Sequence, residues 1–121
     1  MPKFGDLESA IMAEVWRVGT PVSVREILER LDRSAAYTTV QTVTEILRRK
    51  GWLTKERDGR AFRYSAAASQ EDYVAGLVRE ALSFSDDRAA ALVGFVEGIQ
   101  PEEAEELHRL LGAARKRSAE Q

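Results

Sequence analysis

The stretch "AYTTVQTVTEILRRKG", residues 36–51, sets Thr38, Thr39, Thr42 and Thr44 beside Gln41 at the head of a segment whose apolar residues recur at helical spacing. Those apolar residues are Val40, Val43, Ile46 and Leu47, and Gly51 follows as a stop signal. Threonine is a poor helix former, because branching at Cβ restricts χ1 against the preceding turn. Hydroxyls and a carboxamide are suited instead to directional hydrogen bonding with a ligand outside the helix. With the apolar stripe turned inward, the opposite side presents Thr39, Gln41, Thr42, Glu45, Arg48 and Arg49. Glutamine can pair bidentately with adenine, and threonine offers a hydroxyl to either partner and a methyl to a thymine methyl. A short hydroxyl also reaches phosphate without holding the helix away, and Thr38 or Thr39 can serve as N-cap. The plainer alternative is that the threonines merely tolerate a solvated helix start.

A second cluster lies just downstream. Lys55, Arg57, Arg60 and Arg63 bracket Asp58-Gly59, a strong hairpin-turn signal. Cations at a hairpin tip beside a polar helix suit phosphate or minor-groove contact; Asp58 reads as a turn former. Tyr37 and Tyr64 could each offer a hydroxyl to phosphate, with a core role equally open for Tyr64. Trp16 and Trp52 read as core residues.

Other chemistries find little support. The chain of 121 residues has no cysteine, which excludes disulfides, thiolate metal sites and cysteine nucleophiles. Its single histidine, His108, sits among charged residues and leucines and has no nucleophile partner in the sequence. There is no metal cluster and no glycine-rich phosphate loop, so neither an enzyme nor a cofactor is expected. No run approaches the roughly 18 apolar residues of a membrane helix. "MPKFGDLE" lacks a signal peptide's apolar stretch. A cytoplasmic protein without a membrane partner is expected.

The net charge of −2 conceals an asymmetry. Residues 1–66 hold 12 Lys/Arg against 9 Asp/Glu, and residues 67–121 hold 6 against 11. Within residues 33–66 the count is 8 against 3. One basic region in a nearly neutral chain points to an anionic partner there, or, more plainly, to a solvated charged face.

These residues need a scaffold. Gly5 or Asp6 can cap a first helix carrying Leu7, Ile11, Val15 and Trp16 on one stripe, broken at Gly19, Thr20 and Pro21. "SVRE", Ser23–Glu26, fits a capping box for a second, short helix burying Val24, Ile27, Leu28 and Leu31. The third helix is predicted over 39–50. After Gly51 the period changes to that of two strands about Asp58-Gly59, with a wing over 55–63. Helix, helix, helix, hairpin is the order of a winged helix. The fold class is therefore mostly α: an N-terminal winged helix, residues 1–66, followed after "SAAAS" by a three-helix dimerisation region, residues 69–116.

In that second region, a helix starting near Ser69, with Asp72 as cap, carries Tyr73, Val74, Leu77 and Val78. Residues 86–98 contain "AAALVGFV", whose flanks favour a helix over a strand. Pro101, Glu102 and Glu103 open a last helix with Leu107, Leu110 and Leu111. A helix apolar nearly all round must be buried. A second copy of the chain is the simplest cover, giving an interface of Tyr73, Leu77, Leu92, Val93, Phe95, Val96, Leu107, Leu110 and Leu111. Packing back onto residues 1–66 is the alternative.

"GDLESAIMAEVW", "VSVREILERL", "YTTVQTVTEILRRKGWL" and "RDGRAFRY" resemble the penicillinase-repressor (BlaI/MecI) family of bacterial transcription factors over essentially the whole chain. The resemblance implies a homodimeric repressor that binds palindromic operator DNA with half-sites of the TACA type. It also implies target genes for β-lactam resistance or other stress responses. The DNA-binding site expected from the helix face and the wing joins Thr38, Thr39, Gln41, Thr42, Glu45, Arg48 and Arg49 to Lys55, Arg57 and Arg60. A regulatory protease is a further partner that the resemblance implies, since the best-known members are inactivated by cleavage at an Asn-Phe bond. The similar position here is Gly94-Phe95, without the asparagine. Related copper-responsive repressors end in a cysteine-rich site that this chain lacks. A winged-helix protein-interaction module without sequence-specific DNA binding is the competing function; such modules usually lack a basic helix-and-wing surface.

Overall fold

The structure is a computed structural model that describes residues 4–120. Its elements run α1 (Asp6–Val18), α2 (Val24–Arg30), α3 (Tyr37–Arg49), β1 (Leu53–Asp58), β2 (Ala61–Ala66), α4 (Gln70–Ser83), α5 (Arg88–Gly98) and α6 (Pro101–Ala119). They form two compact units, one ending at Val78 and the other starting at Arg79.

The first unit is the winged helix. Gly5 precedes α1 as its N-cap and donates its N–H to the Glu8 carboxylate at 3.1 Å; Gly19 caps the other end in the left-handed conformation. Ser23 caps α2 by accepting the Glu26 N–H at 3.1 Å. The expected return bond from Glu26 is replaced: its carboxylate accepts from Arg63 at 2.9 Å. Ile11, Met12, Val15, Ile27, Val40, Leu47, Leu53 and Tyr64 build the core. Two ion pairs tie helix to helix, Arg30 to Glu14 at 3.0 Å and Lys50 to Glu8 at 3.1 Å.

β1 and β2 pair antiparallel, from Leu53 opposite Ala66 to Asp58 opposite Ala61. The two turn residues are thus Gly59 and Arg60, one position later than the Asp58-Gly59 signal suggests. Gly59 has φ 66° and Arg60 does not share the positive sign, the pattern of a II′ turn with glycine first. Val22 adds a bridge to β2, exchanging backbone hydrogen bonds of 2.9 and 2.7 Å with Tyr64.

Two features differ from the expectation. Tyr73, expected at an intermolecular face, is 7% exposed, in the core of the first unit. Its ring stacks on Phe4 at 4.2 Å and meets Trp52 edge-on at 5.1 Å, with Trp16 at 5.8 Å. Leu77, one helical turn on, packs against the same core. The physical reason is aromatic surface: Phe4, Trp16 and Trp52 leave a pocket that helices α1 to α3 do not fill. The compact unit accordingly runs past residue 66 to Val78, so the unit boundary falls inside α4. Trp16 also donates its indole N–H to the Ala68 carbonyl at 2.9 Å, fixing the chain before α4.

The second unit holds α5 and α6. Asp87 caps α5 by accepting the Ala90 N–H at 3.0 Å, and Pro101 occupies the first turn of α6. α5 is a helix, as its flanking residues suggest. Leu92, Val93, Phe95, Val96, Leu110 and Leu111 are all exposed on the single chain. Leu107 is half-buried.

Candidate nucleic-acid interface

The inward stripe of α3 differs from the expected one. Val40, Thr44 and Leu47 are buried, with Val43 beside them, while Ile46 is 37% exposed. The spacing i, i+4, i+7 centres the buried face on Thr44 and rotates Ile46 outward. A threonine can occupy a core position because the helix itself satisfies its hydroxyl: Oγ1 donates to the Val40 carbonyl at 2.7 Å. The N-cap is Ala36, not Thr38 or Thr39, so both threonines stand exposed in the first turn. Thr42 donates its hydroxyl to the Thr38 carbonyl at 2.8 Å, so its oxygen keeps lone pairs with which to accept.

Strand alternation puts Lys55, Arg57, Phe62 and Tyr64 on one face of the hairpin, since Lys55 pairs with Tyr64 and Arg57 with Phe62. The Lys55 ammonium lies 4.2 Å from the Phe62 ring centre and the Arg57 guanidinium 5.9 Å from it. Arg63 belongs to the opposite face. It is held by Asp58 at 2.7 Å and Glu26 at 2.9 Å, so it braces the hairpin against α2.

Between α3 and this hairpin face runs an open groove of about 740 Å³. Of the residues singled out from sequence, Gln41, Thr42, Glu45, Arg49, Lys55 and Arg60 line it. Thr38, Thr39, Arg48 and Arg57 are not among the lining residues: the threonines lie at the start of α3, Arg48 is turned to Glu45, and Arg57 donates to the Gly59 carbonyl at 3.0 Å. Sequence reasoning missed Arg25, Ile46 and Phe62, which also line the groove. Arg25 has its guanidinium 5.3 Å from the centre of the Tyr37 ring. One signal could have found it. A cation in the first turn of a helix opposes the helix dipole, and Arg25 is the second residue of α2.

Glu45 is the electrostatic centre of the site. Its Oε1 accepts from Arg48 Nε at 2.8 Å and Nη2 at 2.5 Å. Its Oε2 accepts from the Tyr64 hydroxyl at 3.1 Å and from Lys55 Nζ at 3.4 Å. The Arg48 hydrogen bonds, with help from Tyr64 and Lys55, lower its pKa from 4.5 to about 2. Burial first, and then the hydrogen bond to Glu45, push Tyr64 up to about 12. Tyr64 is thus a core residue whose hydroxyl serves Glu45. The surface remaining in the groove is cationic at Arg25, Arg49 and Arg60, amide and hydroxyl at Gln41 and Thr42, and apolar at Ile46 and Phe62. That combination can hydrogen-bond base edges, touch methyl groups and neutralise phosphates.

Residues 4–113 match the family model described as penicillinase repressor. The chain belongs to the penicillinase repressor family. It is 41% identical over 116 residues to the transcriptional regulator BlaI of Mycobacterium tuberculosis, covering 92% of this chain and 84% of that one. To the penicillinase repressor of Bacillus licheniformis it is 25% identical over 126 residues, 99% of this chain and 98% of that one. Its fold is similar to the solution structure of the DNA-binding domain of the repressor BlaI, with a TM-score of 0.52 and 27% identity over 60% of this chain and 89% of that domain. The penicillinase repressor family is one of transcriptional regulators rather than enzymes. In this member of the penicillinase repressor family, the Gly94-Phe95 peptide lies inside α5, with both residues exposed. No helix among the described residues is long and apolar enough to cross a membrane.

Proposed function

We propose that the protein is a homodimeric transcriptional repressor that binds palindromic operator DNA, with α3 in the major groove and the β1–β2 wing on the flanking backbone. The observation that carries the DNA reading is the groove in which Gln41 and Thr42 stand between Arg49, Lys55 and Arg60. Gln41 and Thr42 read base edges; Arg60, at the tip of the wing, meets phosphate or a narrow minor groove. Thr38 and Thr39 offer hydroxyls to phosphate from the first turn of α3. The relatives named above are regulators and repressors, and one is described by its DNA-binding domain.

Support for a dimer comes from α5 and α6, where Leu92, Val93, Phe95, Val96, Leu110 and Leu111 form apolar surface that the single chain leaves exposed. Two joined winged helices would address half-sites about one helical turn, roughly 34 Å, apart. A regulatory protease acting at or near Gly94-Phe95 would have to open α5 locally first, because the peptide is held in helical hydrogen bonding.

Selection of bound sequences from random duplex DNA tests the reading, followed by titration of the selected operator and a scrambled duplex at several salt concentrations. The expected result is a palindromic consensus and a steep fall of affinity with salt. Gln41→Ala should reduce discrimination by about 1–3 kcal/mol. Arg60→Ala should weaken both duplexes alike and flatten the salt slope by about one unit. No enriched sequence and no salt dependence would favour the protein-interaction module instead.

A further inference from the structure

Glu45 sets a carboxylate at the centre of a surface read above as meeting a polyanion. Its side chain is 22% exposed, so it is neither withdrawn into the core nor free in solvent. A base contact would require it to release its partners, which come from three elements: Arg48 on α3, Lys55 on β1 and Tyr64 on β2. Lys55 is further confined over the Phe62 ring on the same hairpin face. Two cations that could neutralise phosphate are therefore already engaged by one carboxylate, and a DNA phosphate must displace that carboxylate to use them. Resting on the DNA-binding reading, we infer that Glu45 is a specificity-determining residue that contacts no base: it competes with phosphate for Lys55 and Arg48, suppresses binding to arbitrary duplex, and fixes the wing against the recognition helix.

The competition acts unequally on the two kinds of DNA. On arbitrary duplex nearly all affinity comes from phosphate neutralisation, so engaged cations weaken it directly. On the operator, base contacts by Gln41 and Thr42 add affinity that Glu45 does not oppose. A fixed hairpin also keeps Arg60 in register with α3, which favours the one docking in which bases are read.

The test compares the full-length protein with Glu45→Gln, an isosteric change that removes the charge, keeps one acceptor oxygen for Arg48 and turns an amide N–H toward the Tyr64 hydroxyl, which can accept it. Each is titrated with the selected operator and a scrambled duplex across a salt series, and thermal melts establish that both are folded. Glu45→Gln should bind the scrambled duplex several-fold more tightly and steepen its salt slope by about one unit, as one more phosphate is neutralised. The gain at the operator should be smaller, so the specificity ratio falls. A second variant, Lys55→Ala, completes a cycle: the gain from Glu45→Gln should shrink when Lys55 is absent. A Glu45→Gln protein that binds scrambled duplex unchanged or more weakly overturns the inference. So does a loss confined to one base pair of the operator, which would mark a direct base contact. Wild-type protein that shows no salt-dependent duplex binding would remove the DNA reading and the inference with it.

Discussion

The Tyr73 hydroxyl accepts the backbone N–H of Phe4 at 3.1 Å, across 69 positions of sequence, while the two rings stack at 4.2 Å. The first turns of α4 therefore complete the winged helix. Tyr73→Phe keeps the stack but leaves the Phe4 N–H buried without a partner, at a cost of about 1–3 kcal/mol. Tyr73→Ala should cost about 3–5 kcal/mol, as for other large aromatic truncations. A chain ended after Ala67 should melt well below one ended after Ser83. Urea titrations of the variants and melts of the two fragments check this; equal stability of the fragments would place Tyr73 outside the core.

Thr44 gives the opposite expectation. It is fully buried, yet its hydroxyl donates to a carbonyl that α3 can satisfy alone. Thr44→Val preserves shape and removes a side chain that competes with the helix backbone, so stability should change by less than about 1 kcal/mol. A loss of several kcal/mol in chemical denaturation would show that the hydroxyl has a further partner.

Glu45 should make stability depend on acid pH. Its pKa in the folded chain, about 2, lies below the usual 4.5. A depressed carboxylate contributes stability that is fully present above its unfolded pKa and is lost as pH falls through the folded one. Stability should thus decline between about pH 4.5 and pH 2, and Glu45→Gln should decline less steeply over that window. Parallel pH profiles for the two proteins would show that the ion pairs with Arg48 and Lys55 do not persist in solution.

Phe95 is 56% exposed on α5 of the single chain. If two copies associate there, Phe95→Asp buries a charge in place of an aromatic ring and should weaken association by several kcal/mol. Sedimentation of both proteins over a concentration series measures this. A wild-type monomer at all concentrations, or an unaffected variant dimer, would remove α5 from the interface.

The order of elements is legible because each rests on local signals: Gly19 and Pro21 for the first break, Ser23 for the second start, Asp58 and Gly59 for the hairpin. The inward face of α3 is not, because Ile46 and Thr44 trade places against any ranking by hydrophobicity. Only the packing of α1, α2 and β1 against α3 decides which of two adjacent stripes turns in, and a back-bonded hydroxyl removes the usual penalty for threonine. Gln41, Thr42 and Arg60 are legible as groove residues from spacing alone. Arg25 and Phe62 are not, since their place depends on how α2 and the hairpin approach each other. Nor does periodicity reveal that Tyr73 fills an aromatic pocket begun at Phe4, because that contact joins distant parts of the chain.

The apolar side chains exposed on α5 and α6, together with Phe84 at 83% exposure, bear on the fate of each newly made chain. A chain without a partner displays the kind of surface that chaperones bind and that degradation machinery clears. If a second copy covers Leu92, Phe95 and Leu111, a chain's lifetime depends on how soon it meets that copy, and so on how abundantly it is made.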